Sequence, residues 1–322
     1  MISTFLYPSS PKSPHPVHLT WAKSVCKYFI RTPMKTGIAH VLSLFSRFDV
    51  TKIPYNDVLL LESLYCLPFA RRYKKRVNPK TKIISIIADT SFWKKKMTLS
   101  RRVYYKLYLD YVDGFIAVSE KIKKDIQEYI ERPVEVVRPF LVHKYNKRKT
   151  EFNKKILFIG NEVKEKGFLK LVEAMKFLPK FELFLVGNCY KAVDKIPKNV
   201  HVEGRVKSLN PYFNECSFYV HPADFDPYPV SVFEAMYAGL IPIITKNVGQ
   251  AEILKKEGLN ELILENNKPE TIAEKILEIE NKSVTWKKTV SKRCKEIAER
   301  YTKEKSVKEF KKAFKKLLNK IR

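Results

Sequence analysis

Cysteine, glycine and long apolar runs are all in short supply. The chain of 322 residues has five cysteines, Cys26, Cys66, Cys189, Cys216 and Cys294. They are odd in number, scattered and never spaced Cys-x-x-Cys, which argues against a disulfide framework or a zinc site and for a reducing compartment. Glycine and proline number only 9 and 18, which leaves little room for low-complexity sequence. No stretch approaches the roughly 18 apolar residues of a spanning helix, and residues 1–8 lack the basic lead and apolar run of an export signal. The expected location is cytoplasmic. No internal repeat of about 20–50 residues is present, which excludes solenoids and propellers.

What is present is core-forming material and an excess of positive charge. Hydrophobic residues make up 45% and aromatics 12%, enough for real cores, and the length suits two domains of roughly 100–200 residues each. Lysine and arginine number 62 against 34 aspartates and glutamates, a net charge of +28. Residues 1–150 hold 29 basic and 11 acidic side chains, so +18 of the excess lies there. Clusters stand at Arg71-Arg72-Tyr73-Lys74-Lys75-Arg76, Lys94-Lys95-Lys96 and Arg101-Arg102. Such a field draws polyanions or anionic surfaces, so a membrane-surface or nucleic-acid contact by this half stands beside the plainer reading of a solvated face.

Short apolar runs alternate with amphipathic stretches. In the second half, strands are expected at Lys155–Gly160, Phe181–Gly187, Val200–Glu203, Ser217–His221 and Ile241–Ile244, with a helix over Phe168–Met175. In the first half they are expected at Asp57–Leu61, Lys82–Ile87 and Gly114–Ser119, with a helix over Glu120–Tyr129. Strand, helix, strand in this rhythm predicts parallel sheets covered on both faces. The polar run 143–150 suits a linker, giving an α/β chain of two doubly wound, Rossmann-like domains, 1–148 and 149–302, facing across a cleft. The basic amphipathic helix Val307–Ile321, within 303–322, is expected to pack back on the first domain or touch a membrane.

The sharpest constellation is the run from His221 to Gly239, HPADFDPYPVSVFEAMYAG. A strand ends near His221, a proline-bounded loop follows and a helix begins near Val230, so the amides of its first turn are free to meet a phosphate. Asp226 and Glu234 straddle that start. By spacing alone they read equally as a helix-start acid and a solvent-facing glutamate.

This stretch resembles the acid-x7-Glu signature of the retaining glycosyltransferases grouped as family four, members of the GT-B superfamily. Gly160–Gly167 resembles that family's Gly-Arg-x-x-x-x-Lys-Gly, His201–Val206 its base-contacting strand and turn, and Val248–Ile253 the segment after its next strand. Together these cover about a third of the chain. The resemblance implies a GT-B fold and a retaining, hexosyl-type transfer from a nucleotide diphosphate sugar to a lipid-linked or polymeric glycan. Lys166 would be the cation on the diphosphate and Asp226 the acid beside the transferred sugar. Glu234 would hold the ribose, Tyr228, Val230 and Ser231 would offer backbone N–H groups, and Gly160 and Asn161 would line the donor. Gly204, Arg205 and Val206 would flank the base. A fixed ammonium and a helix start aimed at the departing diphosphate stabilise the transition state, so no metal or other cofactor is expected.

The chain departs from that family pattern in several places. Asn161 replaces the arginine, which removes half of an Arg-plus-Lys clamp and makes Arg205 a substitute cation to consider. Pro227 and Pro229 replace turn glycines and have no N–H to give. Ser9–His15 stands where paired glycines follow the opening strand, and Ala88-Asp89 where an acceptor-side histidine is usual, which makes Asp89 an acceptor candidate against a cap or turn role. His221 reads as a packed or exposed histidine. The competing functions are a nucleic-acid-binding protein, supported by pI ≈ 9.7, and an inactive relative serving as a partner subunit, supported by Asn161.

Overall fold

A computed structural model describes residues 1–9, 13–33, 48–145, 151–161, 164–188 and 196–321. Ser10–Lys12, His40, the end of the expected linker (146–150), Glu162, Val163 and Cys189 lie outside the described residues. The chain divides into two compact units, Met1–Phe140 with Lys303–Arg322, and Leu141–Thr302.

The first unit runs β1 (Ser3–Pro8), α1 (Pro16–Lys23), β2 (Tyr28–Thr32), β3 (Val58–Leu61), α2 (Leu67–Arg76), β4 (Lys82–Ile87), α3 (Leu99–Tyr108), β5 (Gly114–Ala117), α4 (Glu120–Gln127) and β6 (Val134–Val136). Its six strands pair in the order β2-β1-β3-β4-β5-β6, every pair parallel. Phe5, Leu59, Leu60, Ile84, Ile86 and Ile116 are fully buried, because a parallel sheet is covered on both faces and its strands are apolar throughout. The order reverses at β1 and β3, so the switch point of this sheet lies between them.

The second unit runs β7 (Lys155–Ile159), α5 (Phe168–Ala174), β8 (Glu182–Val186), β9 (Val200–Gly204), α6 (Asn210–Glu215), β10 (Phe218–His221), α7 (Val230–Ala238), β11 (Ile241–Thr245), α8 (Ala251–Lys256), β12 (Ile263–Leu264), α9 (Pro269–Glu280) and α10 (Val284–Glu299). Its order is β12-β11-β10-β7-β8-β9, again wholly parallel. The switch point here lies between β7 and β10, at the ends of the two runs that carry the sharpest motifs.

The last helix, α11 (Lys303–Lys320), belongs to the first unit and starts four residues before the expected Val307. Its apolar face explains the return: Phe310 stacks on Trp21 at 5.2 Å, and the Trp21 indole donates to Ser306 Oγ at 2.9 Å. The division between the units comes at Phe140 rather than at 148. Leu141 donates its amide to the Tyr301 carbonyl (2.9 Å) and the Tyr145 ring packs tilted against Phe213 (4.5 Å), so the described part of the expected linker is built into the second unit.

Candidate functional site

Two chain segments leave the switch point of the second sheet side by side. After β7 comes a 3-10 turn, Lys164–Lys166, and after β10 the loop 222–229. Gly167 joins the first to α5 with φ of 76°, where an added Cβ would lie 2.0 Å from the Pro222 carbonyl oxygen. Only glycine permits that approach. Asp224 then donates its amide to the Glu165 carbonyl at 2.7 Å, which locks turn to loop. Lys170 and Asn267 reinforce the contact through the Asp224 carboxylate, each at 3.0 Å.

This backbone contact brings Lys166 Nζ to 3.5 Å from Asp226 Oδ2. The same oxygen meets His221 Nε2 at 3.0 Å. His221 is fully buried, with its ring between Phe158 (5.6 Å) and Tyr219 (6.2 Å). Burial pulls the imidazole below its ordinary value, so it stays neutral at pH 7 and donates through Nε2. Burial alone would push the Asp226 carboxyl up, but the Lys166 charge and the His221 hydrogen bond outweigh it and hold the group below the usual carboxylate range. Asp226 is thus a buried anion with one partner fixed in the core and another on a half-exposed stem.

The loop through Asp226 is fixed on its far side too. Asp226 donates its amide to the Asn247 carbonyl (3.2 Å) and accepts from the Gly249 amide (3.0 Å). An added Cβ on Gly249 would sit 2.0 Å from the Pro227 carbonyl oxygen. Gln250 Nε2 donates to the Pro229 carbonyl at 2.7 Å, so α7 begins at Val230 with its entry angle set. The Ser231 hydroxyl is engaged by Tyr219 Oη at 2.7 Å, and Tyr228 is buried with its ring against Phe233. Glu234, one turn into α7, is 6% exposed. Burial pushes its carboxyl up to about 7 although the backbone of His143 donates to it. This excludes the solvent-facing reading of Glu234.

The ends of β7, β8 and β9 complete the edge. Gly160 donates its amide to the Val186 carbonyl (3.0 Å) and Gly187 to the Gly204 carbonyl (2.7 Å). A Cβ on Gly187 would fall 1.8 Å from the Gly160 carbonyl oxygen, and one on Gly160 would reach the Lys166 stem at 3.3 Å. Asn161 and Val206 are half-buried and Arg205 is exposed at the end of the edge strand. Among the residues singled out from sequence, Lys166 and Asp226 are in contact and Glu234 is buried one turn into the helix that follows. Asp89 is in the other unit, after β4, where its Oδ1 accepts the Ser91 amide at 2.8 Å and closes a turn.

The partnership of His221 with Asp226 escaped the sequence reading. Its signal was available: a histidine as the final residue of a central strand, five positions before the loop acid. The part of Asp224, Lys170 and Asn267 in clamping the loop had no signal, since they are separated by up to 97 positions.

Residues 153–282 match the family model described as glycosyl transferases group 1. Over that segment the chain is similar in sequence to the family. Over 233 residues it is 29% identical to an uncharacterized glycosyltransferase of Methanocaldococcus jannaschii, covering 69% of this chain and 65% of that relative, just under two thirds of the relative's own length. The fold is GT-B: the chain superposes on a sucrose-phosphate synthase of Thermosynechococcus elongatus with a TM-score of 0.78 at 14% identity, over 98% of this chain and 99% of that one. HepE of Anabaena, solved with UDP-glucose, gives 0.77 at 14% identity over 97% and 99%. In the second unit the switch point offers a cation, Lys166, together with the start of α7, an arrangement suited to an anionic ligand.

Proposed function

We propose that the chain moves a hexose from a nucleotide diphosphate donor to a lipid-linked or polymeric glycan, with retention at the anomeric carbon and without a metal, at the cytoplasmic face of a membrane. The observation that carries this reading is Lys166 paired with Asp226 across the switch point, with His221 behind the acid. As the glycosidic bond to the diphosphate breaks, negative charge builds on the leaving group and positive charge on the sugar. Lys166 exchanges its carboxylate partner for the diphosphate, joined by N–H groups of Tyr228, Val230 and Ser231. Asp226, still held by His221, faces the positive sugar. The exchange favours the transition state because both charges grow there.

Glu234 takes the ribose: two hydroxyls donating to its carboxyl favour the charged form, against the burial that raises its value to about 7. Gly204, Arg205 and Val206 flank the base, and Gly160 and Asn161 border the phosphates. Asp89 is the acceptor-side carboxylate of this proposal.

Thermal unfolding with a panel of nucleotide sugars tests the reading, together with donor hydrolysis. The UDP-glucose held by HepE puts uridine donors first in that panel. A stabilising shift by one donor, abolished in Glu234→Ala and Lys166→Ala, is the expected result; no shift with any donor overturns it. Asn161, uncharged where the family pattern has arginine, favours a second reading as a donor-binding partner subunit. Binding without turnover by the purified chain would select that one.

A further inference from the structure

Helix α3 is amphipathic in an unusual sense: its exposed face is the apolar one. Leu99, Val103 and Leu107 succeed one another at four-residue spacing and are 79%, 51% and 50% exposed. Residues so spaced lie on one side of a helix. The opposite side is where α3 is anchored: Tyr105 and Tyr108 are buried, Tyr105 packs on Phe92 at 5.2 Å, and Tyr104 Oη donates to the Leu64 carbonyl at 2.6 Å. Thr98 caps the first turn through the Arg101 amide. The stripe is therefore presented by a rigid element, with apolar side chains left over after the core is filled.

The charge on the stripe's own segment is positive. Residues 93–108 include six lysines and arginines and no acid. Arg102 and Lys106 are exposed beside the stripe, on the flank away from Tyr104. On the adjoining α2, Arg71 and Lys75 reach over the Tyr111 ring, at 5.1 and 5.7 Å, just beyond the end of α3. Lys94 is spent on Glu128 at 2.8 Å and Arg101 on the Thr90 carbonyl at 3.0 Å, which leaves Arg102 and Lys106 as the cations beside the stripe. A solvated charged face has no use for three projecting aliphatic side chains, and a nucleic-acid groove would offer aromatic rings for stacking in their place. Aliphatic side chains rimmed by lysine and arginine match the boundary between acyl chains and anionic headgroups.

We infer that α3 is a docking surface for an anionic phospholipid bilayer, with Leu99, Val103 and Leu107 entering the headgroup boundary and the basic side chains of α3 and α2 on lipid phosphates. The inference rests on the membrane-face part of the proposed function and not on its donor chemistry. The test is sedimentation of the full chain with vesicles of phosphatidylglycerol in phosphatidylcholine, and with phosphatidylcholine alone. The expected result is binding to the anionic vesicles only, weakened at least about tenfold in the triple variant Leu99→Ser/Val103→Ser/Leu107→Ser. Arg102→Glu/Lys106→Glu should lose about fivefold or more per charge, more steeply at low salt.

UDP-induced thermal shifts in the same variants should stay unchanged, which keeps this test separate from the donor reading. If the parent binds anionic vesicles and the serine variant binds equally well, α3 is not the surface, although the membrane reading survives. If the parent binds no vesicle while UDP still shifts its unfolding, membrane docking fails and the donor reading stands. A dimer that the serine variant converts to monomers in light scattering would make the stripe a self-interface and overturn the assignment.

Discussion

Each unit holds a buried carboxylate directly at the switch point of its sheet, Glu62 in one and Asp226 in the other, and the two are held in different ways. In the second unit it is Asp226, with a lysine Nζ at 3.5 Å and an imidazole at 3.0 Å. In the first it is Glu62, directly after β3. It accepts the His15 amide at 2.5 Å and the Ser13 hydroxyl, with His18 Nδ1 at 3.4 Å. His15 itself is pulled down to about 4, chiefly by burial and then by its neighbour His18, and among the described residues no lysine or arginine pairs with this acid. Both carboxyls sit below their ordinary values although burial opposes it. The difference lies in what can leave. Glu62 is satisfied by groups fixed in the loop after β1 and acts as a clamp on that loop. Asp226 shares a charge carried on a flexible stem that can turn to another anion, and that freedom separates a site from a structural bond.

The sharpest way to break this comparison is to remove the lysine. Lys166→Met should lower sugar transfer or donor hydrolysis by about 100- to 1,000-fold in kcat, the scale of one lost transition-state donor, while Glu62→Gln stays within about tenfold of the parent. Equal losses in the two variants would erase the distinction. Next in size is the turn that delivers Lys166. Gly167→Ala forces a Cβ onto the Pro222 carbonyl at positive φ and should cost about 2–4 kcal/mol in urea unfolding. Gly204→Ala, at a φ of 65° but with open space around it, should cost only about 1 kcal/mol.

Glu62→Ala follows, with about 1–3 kcal/mol lost because buried donors are stranded, measurable by the same unfolding curves. The smallest effect is a slope against pH. Glu234 holds its proton in the folded state up to about 7, against an ordinary value of 4.5. Its stabilising contribution is therefore complete below pH 4.5 and is lost as pH rises towards 7. Glu62, depressed on folding, works in the other direction and loses its contribution as pH falls below 4.5. Subtracting the stability curve of Glu234→Gln from that of the parent should leave a decline between pH 4.5 and 7. A flat difference would mean that Glu234 is not held protonated.

Much of the second unit was legible because its signals are local. A strand ending in His221, the prolines at 227 and 229 and the apolar run that begins at Val230 fix the start of α7 within a few residues, and Lys166 stands seven residues after β7. Strands β2, β6 and β12 were not legible. YFIRT alternates only weakly at a sheet edge, and runs of three and two residues are too short to show a period. The burial of Glu234 was hidden for another reason: VSVFEAMYA is apolar almost all round, so its pattern does not say which side faces the core. The division at Phe140 depended on an amide pairing between Leu141 and Tyr301, 160 residues apart, which no window along the chain contains.

By itself, the sequence determined the alternation of strands and helices, the excess of positive charge on the first 150 residues and the placing of a glycine, a lysine and an acid next to chain turns. Those are properties of neighbours along the backbone. Tertiary structure alone decided that Lys166, Asp226 and His221 share one oxygen, and that Glu62 is clamped where Asp226 is poised. It also decided that Leu99, Val103 and Leu107 are left facing outward. Each of these depends on which strands lie side by side, and parallel pairing joins segments that the chain itself keeps dozens of residues apart.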